Sequence, residues 1–517
     1  MRNNLKKQIL HITSEVAPFY KRGGLGDVLG ALPYYLNSSE YSNAVVSQYY
    51  EGCMSGLENA IEDEYSMQIH GIAYPYKCYF VTKSGVSYYF LNLVDTHLYT
   101  ELETAGDGDQ PYKGTSSFMY YIYFAKTVLD LIARLNLSPQ HIFCHDWQTC
   151  GIFAFKEELS ALRQQCATTT ILMIHNYEFQ GKILEDAIPY LPEQAKAEII
   201  DTLSRFGQVT MLGLGIYKSD YVATVSNSYA QELMKGMAPH KWLCFLKGKT
   251  DVKPLFNGVD YDIWHPERSS YLPINYDFES FYIKKEYKNE VLKEYQLRPV
   301  ADHENIPLVL FIARLTVQKG IQLLTAKENI EKLDSLLNQN IRMVIHGSPS
   351  GGSKGEIHKT LTMLQEKYPG ILAYDPKYSD EKANRLLAGG DILLVPSLFE
   401  PCGLVQIYAM AFGTVPVVRA TGGLRDSVND YVVDKQDATG FHFHEFNFDS
   451  MKAAISRAVS VYQNSKYIWN ELILNGMKMN FSWNRMTSEY YRFLAEIESG
   501  KEIVINKTDQ KTIVNQS

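Results

Sequence analysis

The chain has 517 residues, 45% hydrophobic and 21% charged, the composition of a soluble globular protein and too much for one core, so two or three domains are expected. A formal net charge of −8, with basic residues scattered, argues against a nucleic-acid binder, because phosphate contacts need a dense basic face. The seven Cys (Cys53, Cys78, Cys144, Cys150, Cys166, Cys244, Cys402) form no C-x-x-C pair, so neither a zinc site nor a disulfide framework is indicated, and no apolar run approaches the roughly 20 residues that span a bilayer.

In chain order, "MRNNLKKQILHIT" puts two Lys before an apolar stretch too short and too polar for a secretion signal. It reads as a buried first strand, Ile9 to Thr13, and a cytoplasmic protein is expected. "EVAPFYKRGGLGDVLGALP" follows. Gly23, Gly24 and Gly26 let backbone amides approach a ligand closely, and a helix opening at "DVLGAL" would aim its N-terminus at an anion, with Lys21 just before it. The spacing is neither a dinucleotide fingerprint nor a P-loop; alone, it is better explained as a strand–helix turn that needs glycine. The amphipathic "SFMYYIYFAKTVLDLIARL" predicts a helix, and "HIFCH", "TTILMIHN" and "YVATVS" predict buried parallel strands. Asp146 in "CHDWQT", and His175 and Asn176 in "IHNYEFQGK", fall at carboxyl strand ends, where open α/β sheets bind ligands. A neutral imidazole and an amide are good readers of hydroxyls.

"KPLFNGVDYDIWHPERSSYLP" is rich in turn residues and marks a break near residues 253 to 300, with Asn257 in an Asn-Gly turn. A second strand series then begins: "IPLVLFIAR", "IRMVIHG", "GDILLVPS" and "TVPVVRA", with "MKAAISRAVSVYQNS" as a late helix. Strand–helix alternation argues for doubly wound α/β sheets, and the strands exceed one comfortable sheet. Two nucleotide-fold domains with a cleft between them are expected. "ARLTVQKG" sets Arg314 and Lys319 on the turn between a strand and a helix. "PSLFEPCGLVQIYAMAFGTVPVVRATGGL" sets Glu400 at a sharp turn, Gly403 and Leu404 at a helix opening, and Thr421, Gly422 and Gly423 after the next strand. Two cations, several amides and one carboxylate at strand ends of one domain suit a sugar nucleotide: the cations take the diphosphate and the carboxylate takes hydroxyls.

These residues carry a resemblance. The sequence is similar to the bacterial and plant starch/glycogen synthase family over residues 8 to 495, through the ordered markers "KRGGLGDV", "HDWQ", "IHNYEFQG", "FNGVD", "ARLTVQKG", "PSLFEPCGLVQIYAM" and "ATGGLRDSV". The resemblance implies an α/β GT-B fold, two Rossmann-like domains facing each other across a deep cleft. Domain 1-253 would be acceptor-side and 254-482 would bind the sugar nucleotide. A helix over 483-499, entered at "FSW", would cross back to the first domain, and 500-517 would be a polar tail.

It also implies a retaining glucosyltransferase that moves glucose from ADP-glucose (favoured) or UDP-glucose to an α-1,4-glucan, with neither metal nor other cofactor. Arg314 and Lys319 would stabilise the leaving diphosphate and Glu400 would hold the donor sugar's hydroxyls. His175 and Asp146 would lie at the transferring glucose. Lys21, Gly23, Gly24, Asn176, Asn257, Gly403, Leu404, Thr421, Gly422 and Gly423 would bind substrate, and Tyr374 or Tyr378 would stack on the base. No nucleic-acid or membrane partner is implied.

The chain departs from the family pattern at three places. "NSSEYSNAVVSQYYEGC" stands where the family has a Gly-His-x-Val-x-Val strand and its Pro-x-Tyr turn, with "NAVVSQYY" as the candidate strand and the turn altered; Gly213 stands where Lys is usual, and "SPSGGSKGE" replaces a glycine-rich loop. Two of these fall in the first domain. Two alternatives therefore stay open: a glucosyltransferase acting on a non-glucan acceptor, or a catalytically silent relative that binds glucan or protein.

Overall fold

Short runs of β-branched and aliphatic residues set most of the buried strands, as in "TTILMI", "LVLFI" and "ILLV". A computed structural model describes residues 6–50, 54–69, 71–93, 115–183, 188, 191–193, 195–197, 200, 210–235, 251–299, 305–350 and 354–500. The tail expected over 500-517 lies outside these residues except for Gly500. The chain divides into two units: Met1–Val225 with Ala230–Gly258 and Trp483–Ile505, and Ser226–Tyr229 with Val259–Ser482 and Asn506–Ser517.

Unit 1 is built on a nine-stranded sheet in the order β3-β4-β5-β2-β1-β6-β7-β8-β9. Its strands are β1 (Lys7–Thr13), β2 (Tyr41–Gln48), β3 (Ile61–Ile69), β4 (Ile72–Lys83), β5 (Val86–Leu93), β6 (Pro139–His145), β7 (Thr169–Ile174), β8 (Tyr221–Thr224) and β9 (Val252–Pro254). The four strands expected from the sequence are β1, β6, β7 and β8, and "NAVVSQYY" supplies β2. β3, β4 and β5 form an antiparallel meander that the sequence analysis did not identify. Its edge strand β3 leaves Ile61 through Glu64 exposed, whereas β1 buries everything from Ile9 to Thr13. A strand covered on both faces is mostly apolar along its length, and an edge strand need not be.

The helix Thr115–Arg134 buries a run of large side chains that includes Phe118, Tyr120, Tyr121 and Phe124. The helix Trp483–Glu498 packs on the helix Gly24–Tyr35. Its last residue, Glu498, accepts from Tyr41 Oη at 3.0 Å, His141 Nε2 at 3.1 Å and Lys7 Nζ at 2.5 Å.

Unit 2 is built on six parallel strands in the order β12-β11-β10-β13-β14-β15. They are β10 (Leu308–Ile312), β11 (Arg342–His346), β12 (Leu372–Asp375), β13 (Ile392–Val395), β14 (Val415–Arg419) and β15 (Phe441–Phe443). Each sheet has a point where strand order reverses, at β1 in unit 1 and at β10 in unit 2. Open α/β sheets bind ligands outside the carboxyl end of such a strand. The loop carrying Lys21 and Gly23 leaves β1, and the turn carrying Arg314 and Lys319 leaves β10. Among the described residues no helix is long and apolar enough to cross a membrane.

Candidate active site

In unit 1 the glycine-bearing loop is held from within. Glu15 Oε2 accepts the backbone N–H of Arg22 at 2.8 Å and of Gly23 at 2.9 Å. Lys21 Nζ pairs with Asp27 Oδ1 at 2.7 Å. The helix starts at Gly24, three residues before the "DVLGAL" segment that was expected to open it, with Gly23 as its N-cap and no side-chain cap. The glycines differ in role. A Cβ at Gly23 would meet open space, but one at Gly26 would meet Lys21 Cγ at 3.1 Å, so Gly26 serves local packing.

Asp146 follows β6 at φ 60° and ψ −178°, a region that residues other than glycine rarely adopt. Its Oδ1 accepts the backbone N–H of His175 at 2.7 Å and of Asn176 at 3.1 Å. The carboxylate thus shapes the turn that presents the imidazole. Burial pushes the Asp146 pKa up to about 7, against the pull of those two amides. His175 is half-buried, and its Nε2 lies 2.9 Å from His145 Nδ1. Asn257 is buried, and its Oδ1 has no hydrogen-bond partner among the described residues. Gly213 lies in the first turn of the helix Met211–Lys218, its N–H donated to Thr210 Oγ1 at 2.9 Å.

In unit 2 Lys319 Nζ donates to Glu400 Oε2 at 2.6 Å, and Ser397 Oγ donates to the same oxygen at 2.9 Å. The Glu400 side chain is 7% exposed and that of Lys319 is 23% exposed. Arg314 is exposed. The Lys319 turn is seated by Gly320, at φ +80°, where a Cβ would come within 2.0 Å of Pro396 O. Gly422 and Gly423 lie against the Glu400–Cys402 turn: added Cβ atoms would meet Glu400 O at 1.9 Å and Cys402 O at 2.1 Å. The Gly423 N–H donates to Glu400 O at 3.0 Å, so these glycines lock the carboxylate-bearing turn to the one after β14. Thr421 is the extended N-cap of the helix Gly422–Ser427. Gly403, at φ +70°, and Leu404 precede the helix Val405–Ala411, which starts two residues later than expected.

Of the two tyrosines considered for the base, Tyr374 is buried with its hydroxyl 3.2 Å from His358 Nδ1. Tyr378 is 45% exposed and stacks on His346 with ring centroids 5.5 Å apart. His346 is fully buried, with its Nδ1 3.5 Å from Asp375 Oδ2.

Sequence reasoning missed Ser397, His346, His11 and His145. The signal was a polar residue inside a buried strand run, as in "QILHIT", which reads as tolerated rather than used.

Comparisons with known proteins agree with this layout. Residues 8–243 match the family model "Starch synthase catalytic domain", and residues 294–469 match "Glycosyl transferases group 1". The chain is 32% identical over 500 residues to glycogen synthase of Lactococcus lactis, covering 95% of this chain and 100% of that one. It is 32% identical over 487 residues to glycogen synthase of Thermosipho melanesiensis, covering 93% and 97%. The catalytic domain of starch synthase IV from Arabidopsis thaliana, solved with ADP and acarbose, superposes with a TM-score of 0.82 at 26% identity, over 96% of this chain and all of that one. Sucrose-phosphate synthase of Thermosynechococcus elongatus, at TM-score 0.58 and 15% identity, shares the GT-B fold.

Proposed function

Because this chain belongs to the glycogen/starch synthase family and is a hexosyltransferase of GT-B fold, we propose that it transfers glucose from a nucleoside-diphosphate glucose, ADP-glucose by preference, to the non-reducing end of an α-1,4-glucan, with retention at the anomeric carbon. Unit 2 holds the donor. Lys319 and Arg314 neutralise the departing diphosphate, so that fixed positive charge takes the place of a metal. Thr421, Gly422, Gly423, Gly403 and Leu404 line the diphosphate, and Tyr378, the more exposed of the two candidate rings, covers the base.

Glu400 accepts from the glucose hydroxyls and stabilises the oxocarbenium-like state. From unit 1, His175 and Asn176 meet the transferring glucose. Asp146 orients their backbone, Asn257 turns its unpartnered oxygen to a sugar hydroxyl, and Lys21 with Gly23 and Gly24 supports the donor. The acceptor hydroxyl attacks the face from which the diphosphate departs. The C1–O bond to phosphate breaks as the C1–O bond to the acceptor forms, and the leaving phosphate oxygen takes the acceptor's proton.

The observation that carries this reading is the 2.6 Å pair of Lys319 with Glu400, beside the strand where the unit 2 sheet reverses order. It unites a phosphate-binding cation and a hydroxyl-binding carboxylate at one locus. The test is a matrix of ADP-glucose and UDP-glucose against glycogen, short maltodextrins and glucose-free acceptors. Glycogen-dependent release of ADP supports the reading. Release only with non-glucan acceptors overturns the acceptor assignment.

A further inference from the structure

Four side chains of unit 1 form one continuous hydrogen-bonded chain across the sheet. Asn43 Oδ1 lies 3.1 Å from His11 Nε2, His11 Nδ1 lies 3.1 Å from His145 Nε2, and His145 Nδ1 lies 2.9 Å from His175 Nε2. These residues sit on the adjacent strands β2, β1 and β6 and at the end of β7. Asn43, His11 and His145 are buried.

The polarity of the chain is forced from one end. Gly85 O can only accept, and it lies 3.1 Å from Asn37 Nδ2, so Asn37 turns its Oδ1 toward Asn43. That oxygen accepts the Asn43 backbone N–H at 2.9 Å and Asn43 Nδ2 at 3.2 Å. Asn43 is therefore left with only its Oδ1 for His11. A neutral imidazole has one N–H and one lone pair. His11 must donate from Nε2 and accept at Nδ1, His145 must do the same, and so must His175. Burial keeps the rings neutral. It pushes the pKa of His11 down to about 4 against its Asn43 hydrogen bond, pushes that of His175 down to about 3, and puts that of His145 well below the ordinary range.

We propose that Asn43, acting through His11 and His145, fixes the Nε2–H tautomer of His175 and so presents His175 Nδ1 as an obligate hydrogen-bond acceptor to a hydroxyl of the transferring glucose. This rests on the placement of His175 under Proposed function. Asn43, His11 and His145 are positioning residues. The device selects a substituent that can donate: a hydroxyl satisfies Nδ1, whereas fluorine or an ether oxygen brings a lone pair against a lone pair.

Cutting the chain at His11 permits the reverse polarity. His11→Phe keeps a ring in the slot that stacks on Phe143 at 5.3 Å between centroids, but it removes the acceptor for His145 Nε2–H. His145 is then free to donate from Nδ1 to His175 Nε2, and His175 carries its proton on Nδ1. Asn43→Leu removes the anchor without touching an imidazole and serves if His11→Phe misfolds. Two readouts are taken on the full-length protein. The first is the tautomeric state by nitrogen-15 NMR of histidine-labelled protein, with His175 assigned by difference from His175→Gln. The second is kcat/KM for monodeoxy and monodeoxyfluoro nucleoside-diphosphate glucose donors.

In the parent, Nε2–H at all three histidines is expected, and removing one particular hydroxyl should cost about tenfold, the upper range for one neutral hydrogen bond. In the variants His175 should show Nδ1–H, and that single hydroxyl's advantage should vanish while the other positions keep theirs. A purely structural role for His11 would lower every donor alike. Nδ1–H on His175 in the parent, or an unchanged His175 tautomer in both variants, overturns the relay. The expected tautomers with no hydroxyl singled out uphold the relay and overturn the placement of His175 at the sugar.

Discussion

Replacing Asp146 by Asn separates what its carboxylate costs from what it holds. The group is 9% exposed, and burial raises its pKa from 3.8 to about 7, although two backbone amides bind Oδ1. A folded-state value above the unfolded one means that the folded protein holds the proton more tightly. Asp146 therefore adds stability below pH 4 that is lost as pH rises through 7, and by about pH 8 the loss is complete and constant. About 3 pH units at 1.36 kcal/mol each give a total near ~4 kcal/mol. Somewhat more than half of it, ~2.5 kcal/mol, falls between pH 5 and pH 8. Asparagine keeps an oxygen for the His175 and Asn176 amides, matches aspartate in size and branching, and carries no charge to bury. Asp146→Asn is therefore expected to gain on the parent as pH rises. Differential scanning calorimetry in matched buffers should show the Tm difference widening in the variant's favour by roughly 2–4 °C from pH 5 to pH 8. A Tm difference that stays constant over that range, or that moves against the variant, refutes the reasoning.

Lys319→Ala and Glu400→Ala should each lower glucosyl transfer by at least about a hundredfold, the scale of one lost transition-state electrostatic group; near-parent initial rates in both would remove the site assignment. Gly320→Ala should destabilise by about 2–4 kcal/mol in denaturant titrations, because its φ is +80° and the new methyl meets Pro396 O at 2.0 Å, and turnover should fall as the Lys319 turn shifts. Glu498→Ala leaves Lys7, Tyr41 and His141 without their shared acceptor and should cost about 1–3 kcal/mol; amide hydrogen exchange should then accelerate in the helix Trp483–Glu498.

The buried parallel strands were legible because burial on both faces removes the polar alternation, so "TTILMI" and "ILLV" stand out by composition alone. The meander of β3, β4 and β5 was not. "IEDEYSMQI" is an exposed edge strand with four exposed leading residues, and its apolar content is too low to separate it from a loop. The turn residues of the site were legible as types but not as contacts. Gly422 and Gly423 read as ligand-facing glycines, and the sequence did not show that the space a Cβ would need at each is filled by the Glu400–Cys402 backbone, a constraint between segments about twenty residues apart. The histidine chain was hidden for a related reason. Nothing in "QILHIT", "HIFCH" and "ILMIH" says that three rings on neighbouring strands share one face until the register pairs His11 with Phe143 and His145 with Met173.

The pair at the centre of unit 2 sets up a competition that distinguishes nucleotide binding from catalysis. One oxygen of Glu400 takes both Lys319 at 2.6 Å and Ser397 at 2.9 Å in a nearly buried setting. On the proposed assignment an incoming diphosphate must draw Lys319 away and leave a carboxylate with little water to compensate it. For a complete donor, the glucose hydroxyls and the positive charge developing at C1 supply that compensation. For free ADP or UDP nothing does, so part of the nucleotide's binding energy is lost in breaking the pair. Glu400→Gln removes the competition while keeping the shape. It should bind free nucleoside diphosphate about five- to thirtyfold more tightly, corresponding to about 1–2 kcal/mol, even as it loses turnover. Isothermal titration of ADP and UDP into parent and variant measures this directly. Weaker nucleotide binding in Glu400→Gln would mean that Lys319 does not serve the phosphates, because a cation freed from its pairing with Glu400 would then have gained nothing from them.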